Sequence, residues 1–110
     1  MLVDDLDNHR IQVFDEQTCE HLRNLGVGRV RRPLGIALSP SERYVYVCEW
    51  EANRVACIDL VNDETASSWP AAPKSSTTED GMFHHPYGVA VLPNGNVFIS
   101  DDNYRVQVFQ

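Results

Sequence analysis

The chain has 110 residues, 43% of them hydrophobic, and a formal charge of −7 from nine Lys and Arg against sixteen Asp and Glu. That length suits one small domain, and no apolar run approaches the ~18 residues that span a bilayer, so no membrane partner is expected. The acidic balance repels phosphate backbones at long range, and Met1-Leu2-Val3 runs into Asp4-Asp5 rather than into the basic-then-apolar order of a secretory leader.

Leu2-Val3 and Arg10 to Phe14 read as two strands joined by an acidic turn that contains Asn8. Cys19 to Leu25 alternates well enough for an outer strand, and Gly26-Val27-Gly28 breaks it. A small basic cluster, Arg29-Val30-Arg31-Arg32, leads to Pro33-Leu34-Gly35-Ile36-Ala37-Leu38. After the turn residues Ser39 to Arg43 come Tyr44 to Cys48, a polar break over Glu49 to Asn53, and Arg54 to Ile58. Residues 62–81, rich in Ser and Thr and holding Pro70 and Pro73, are expected to form a long surface loop. Within it, Thr65 to Trp69 has the alternative of pairing as an outer strand, and Trp69 is expected to pack on a sheet edge. The last segment is the clearest. Pro86-Tyr87-Gly88 and Val89 to Leu92 lead to Pro93-Asn94-Gly95-Asn96, a turn whose Asn-Gly tolerates positive φ. Val97 to Ser100, the break Asp101-Asp102-Asn103 and the alternating Tyr104 to Phe109 complete a three-stranded meander.

These segments are copies of one unit. Pro33-Leu34-Gly35-Ile36-Ala37-Leu38 matches Pro86-Tyr87-Gly88-Val89-Ala90-Val91, and Arg10, Arg54 and Arg105 each open the strand after an acidic break. A period of roughly 40 to 50 residues built from strand meanders is the signature of propeller blades. The fold class expected is all-β: a partial β-propeller built from four-stranded antiparallel meander blades. Residues 1–32 are expected to supply the C-terminal part of one blade, 33–81 a second blade with the long loop 62–81, and 82–110 a third that lacks its outer strand. Two blade faces would then be bare, so missing blades are expected from flanking sequence or from other chains, the chain being a fragment of a larger protein. The odd count of cysteines, Cys19, Cys48 and Cys57, has no metal-type spacing. Cys48 and Cys57 lie on neighbouring strands; buried free thiols are expected, which leans towards a reducing, cytoplasmic compartment.

Asp4 to Phe14, with Asn8-His9-Arg10 before an alternating strand, resembles the NHL repeat, and residues 83–101 look like nearly a whole copy. The middle unit departs from the pattern, with Glu49 in place of the usual Asp and no counterpart for Trp50. The resemblance implies a closed propeller, commonly of six blades, whose hairpin turns and pre-proline segments open on one rim. Asp5, Asn8, His9, Arg10, Pro33, Gly35, Glu49, Arg54, Pro86, Gly88, Asp101 and Arg105 are then expected to be structural repeat positions. Their acids would cap the hairpin turns and pair with the arginines.

Arg31, Arg32, Trp50, His84, His85 and Tyr104 are the candidate binding residues, because aromatic and arginine side chains dominate rim contacts. The function expected is a non-catalytic module that binds a protein or peptide. An RNA-binding propeller, as in tripartite-motif NHL proteins, is disfavoured by the acidic charge. A metal-dependent lyase or hydrolase similar to peptidyl-amidoglycolate lyase would need His84 or His85 together with His9. Adjacent histidines on an extended segment point apart and cannot clip one ion. No catalytic residue, cofactor or metal is therefore expected, and no phosphate loop or nucleophile elbow is present in the sequence.

Overall fold

The computed structural model describes residues 1–27, 30–69, 82–102 and 105–109. Among them there is no α-helix, and the strands form three antiparallel sheets. Sheet 1 holds β1 (Leu2–Asp5), β2 (Arg10–Phe14) and β3 (His21–Leu25), with a 3-10 turn at Leu6–Asn8 between the first two. Sheet 2 has four strands in sequence order, β4 (Pro33–Leu38), β5 (Tyr44–Glu49), β6 (Arg54–Asp59) and β7 (Glu64–Trp69). Sheet 3 holds β8 (Gly88–Val91), β9 (Val97–Asp101) and β10 (Arg105–Phe109).

The two faces of sheet 2 explain the stacking. Residues opposite one another in an antiparallel pair share a face, and the register pairs Val45 with Ile58 and Val47 with Ala56. That face packs on Ile11 and Leu25 of sheet 1 and on Val30 in the connection, all buried. The alternate residues Cys48 and Val55 pack the other way, against Phe83, Val97 and Ile99 of sheet 3. Sheet 2 is therefore apolar on both sides, with a run such as Val45-Tyr46-Val47-Cys48 in place of polar alternation. Each fully buried Val, Ile or Phe contributes about 1.5–3 kcal/mol of transfer free energy. No sheet here could bury that surface without its neighbours.

The expected long loop 62–81 is corrected at its start. Glu64–Trp69 is β7, paired along β6 from Asp59 opposite Glu64 to Val55 opposite Trp69. The strand looked like a loop because an outermost strand is solvated, and its first four residues are indeed exposed. Residues 70–81 of that segment lie outside the described residues. Trp69 is accordingly a strand residue, with Tyr46 and Phe109 stacked at centroid distances of 5.7 and 5.3 Å, a bridge of rings between sheets 2 and 3. Cys48 and Cys57 share one face of the β5–β6 hairpin but sit diagonally, Cys48 opposite Val55 and Cys57 opposite Tyr46, and all three cysteines are free.

The first strands of the sheets meet closely. A Cβ added to Gly35 on β4 would run into the carbonyl oxygen of Tyr87, just before β8. Backbone cannot yield as a flexible side chain does. Gly35→Ala should therefore lower stability by about 2 kcal/mol, seen as an earlier urea midpoint with an unchanged slope.

The turns between first and second strands share one geometry with different residues. Gly95 takes φ 92° and donates its N–H to Leu92 O; Glu42 takes φ 60° and donates to Ser39 O. A side chain in the left-handed region costs about 1–2 kcal/mol, partly offset by the stiffer unfolded chain. Glu42→Gly should raise stability by about 0.5–1 kcal/mol in the same assay.

Candidate functional site

One rim of the three sheets is built from the turns after β1, β5 and β9 and from the segments that lead into β4 and β8. Its foundation is an acid at the end of one strand facing an arginine at the start of the next. Register places Asp5 opposite Arg10, Glu49 opposite Arg54 and Asp101 opposite Arg105. Glu49 is fully buried and takes two bonds from Arg54, Nε to Oε2 at 2.6 Å and Nη2 to Oε1 at 2.7 Å. It also accepts the Arg31 backbone N–H at 2.9 Å, so the carboxylate ties the hairpin to the chain entering β4. Asp101 repeats the arrangement more loosely: it accepts the His84 N–H at 3.3 Å and stands 3.8 Å from Arg105 Nε. In sheet 1, Asp5 is bonded instead by Arg10 at 2.9 Å, by Asn8 and by Gln12. Those bonds, Arg10's foremost, hold its carboxyl below the usual carboxylate range.

A second repeated contact joins neighbouring sheets. The residue before each buried proline donates its backbone N–H to the side chain that precedes the arginine of the preceding sheet. Arg32 N bonds His9 Nδ1 at 3.0 Å, and His85 N bonds Asn53 Oδ1 at 2.9 Å. All four residues are left-handed, with φ of 45° and 53° in the first pair and 48° and 52° in the second. Pro33 and Pro86, which follow, are buried.

Five of the six candidate binding residues come together here. The Trp50 ring stacks on His85 with centroids 3.8 Å apart, and the Arg32 guanidinium lies 5.9 Å from the Trp50 centroid. His84 and His85 bring their rings to 4.3 Å. That corrects the expectation that neighbouring histidines point apart, because His85 is left-handed and not extended. His85 Nδ1 also reaches Asp102 Oδ2 at 3.3 Å. Arg31 is the most open of the set, its side chain 64% exposed. Tyr104 lies outside the described residues.

Sequence reasoning missed the acids that offset the arginines. Glu51 stands 3.9 Å from Arg31 and 3.8 Å from Arg32, and Asp7 is 4.0 Å from Arg32. The signal was present, since Glu51 and Asp7 each follow the hairpin acid by two residues. Among the described residues, no three His, Cys, Asp or Glu side chains are grouped to hold a metal ion. Elsewhere, Arg43 holds the Asp59 carboxyl down to about 2, and burial pushes the Cys48 thiol up to about 12, which leaves it unreactive. No helix among the described residues is long and apolar enough to cross a membrane.

Removing the buried acid exposes how much rests on it. Glu49→Ala leaves Arg54 without its bidentate partner and should cost about 3–5 kcal/mol. Asp5→Ala, at a more solvated copy of the same position, should cost much less, and paired urea melts would rank the two.

The chain matches no protein-family model and no curated protein sequence. Solved structures do resemble it. It is similar to Kuenenia stuttgartiensis hydrazine synthase at 15% identity with a TM-score of 0.77, covering 99% of this chain and 28% of that one. It is also similar to the WD40 β-propeller domain of Doa1 at 17% identity with a TM-score of 0.73, covering 99% of this chain and 32% of that one. The chain thus spans about a third or less of each. At such identities the likeness speaks for the fold alone: the three stacked sheets are a partial β-propeller.

Proposed function

We propose that this chain is an NHL-type propeller segment that acts as a non-catalytic interaction module, holding a protein or peptide on the rim described above. The observation that carries this is the convergence of Arg31, Arg32, Trp50, His84 and His85 from two sheets on one rim. Aromatic and arginine anchors of this kind supply most of the free energy in protein–protein contacts. The NHL assignment rests on Asn8-His9-Arg10, on the Pro-x-Gly strand openings and on the acid–arginine pair in each sheet.

The arrangement also favours further blades against the outer faces, from flanking sequence or other chains. Val106 and Val108 on β10 are 61% and 52% exposed, yet they occupy the positions of Val55 and Cys57 on β6, both buried, Val55 against sheet 3. Likewise Leu2, Ile36, Ala37 and Leu38 line an open hollow of about 240 Å³ beside β1, which by its terminal acid corresponds to the second strand of sheet 2. A first strand for sheet 1 would stand near there.

RNA is a poorer partner. The net charge is −7, and the arginines of the rim already face Glu51 and Asp7.

Peptides selected from a phage-displayed random library against the immobilised chain test the proposal. Arg31→Ala, at an exposed side chain with only a weak ion pair, should weaken the selected peptides roughly tenfold or more. No enriched peptide, or affinities indifferent to Arg31→Ala, would overturn it. Salt-dependent retention on single-stranded RNA would favour the nucleic-acid alternative. A metal retained through dialysis and lost on His84→Ala or His85→Ala would favour the lyase.

A further inference from the structure

The two junctions between sheets use the same hydrogen bond with different acceptors, and only one acceptor can be protonated. At the first junction the Arg32 N–H donates to His9 Nδ1, so that nitrogen carries its lone pair and the ring is neutral. An imidazolium has no acceptor nitrogen, and this bond cannot survive its formation. At the second junction the acceptor is Asn53 Oδ1, which does not titrate. The histidine there, His85, plays the opposite role. Its Nδ1 faces the Asp102 carboxylate and its ring lies on Trp50. Protonation turns that contact into an ion pair and places a cation on an indole face, both favourable.

We infer that the rim is a proton-responsive pair of latches: a proton on His9 breaks the Arg32 bond that joins sheet 1 to sheet 2 there, while a proton on His85 strengthens its contacts with Asp102 in its own sheet and with Trp50 in sheet 2. Histidine is the side chain whose charge ordinarily changes nearest neutral pH. The charged groups on the two segments that meet at His9 are Asp5, Asp7 and Arg10 on its own hairpin and Arg31, Arg32 and Glu51 across the junction. About His85 stand Asp102 and His84 on its own sheet and, across the junction, Arg32 over the same Trp50 ring. The response is independent of what the rim binds.

Amide hydrogen exchange of the ¹⁵N-labelled chain, corrected for intrinsic rates, reads both latches at once. Between pH 7.5 and 5.5 the protection of the Arg32 amide should fall roughly five- to tenfold, the loss of one hydrogen bond, while the His85 amide keeps or gains protection. His9→Asn copies the Asn53 acceptor, and asparagine accepts the left-handed backbone. In that variant the Arg32 amide should be indifferent to pH. Arg32 protection unchanged in the parent, an equal fall at both amides, or the same fall persisting in His9→Asn would overturn the inference. Should His9→Asn fail to fold, the contrast between the two amides of the parent decides alone.

Discussion

A carboxylate at the end of one strand, bonded to an arginine that opens the next, is the contact on which the rest of the rim depends. It is fullest at Glu49, a fully buried acid that Arg54 and the Arg31 backbone satisfy from two directions. Burying a charge in an apolar stack is costly unless it is paired and hydrogen-bonded. Glu49 meets both conditions, and in doing so it sets where the chain enters the first strand of its own sheet. Asp101 does the same for His84. The chain entering β4 and the chain entering β8 are thus each tied at the rim by a buried acid.

From that geometry the sheets stack as they must. Alternation puts Val45, Val47 and Ile58 on one side of sheet 2 and Cys48 and Val55 on the other, and two separate apolar clusters form. The clusters differ in character. The first is aliphatic and is closed at its far end by Arg23 on the Leu60 carbonyl and by the Gly26 N–H on Asp63. The second is aromatic, with Phe83, Phe109, Trp69 and Tyr46 in ring contact across it. Neighbouring repeats can therefore share a backbone plan and still be joined by different side-chain chemistry.

Much of this was legible in the chain. The Pro-x-Gly openings and the acid-then-arginine hairpins repeat in sequence because they answer to backbone geometry that repeats in space. Gly35 is glycine because a neighbouring backbone leaves no room for a Cβ. What stayed hidden had local reasons. Glu64–Trp69 was legible only as an alternative, an outer strand over Thr65 to Trp69, because its exposure gave it the composition of a loop. His85 turned the His84–His85 pair inward through a left-handed bend that no neighbouring glycine announced. Glu51 stands two residues after the hairpin acid, but its pairing with Arg31 stayed hidden because that partner lies on a segment some twenty residues earlier, joined to it only by folding. Tyr104, the remaining candidate, lies outside the described residues.

The left-handed backbone at His9, Arg32, Asn53 and His85 has a consequence for how the assembly comes apart. The left-handed region costs a residue with a side chain up to about 1–2 kcal/mol, least for Asn and His, and the four face one another in pairs where sheets meet. The residues that meet at a seam are joined there by backbone-to-side-chain bonds, whereas each sheet is held by the ladder between its strands. Fluctuations short of global unfolding should therefore spread the sheets like leaves of a fan, beginning at this rim, with each leaf still folded.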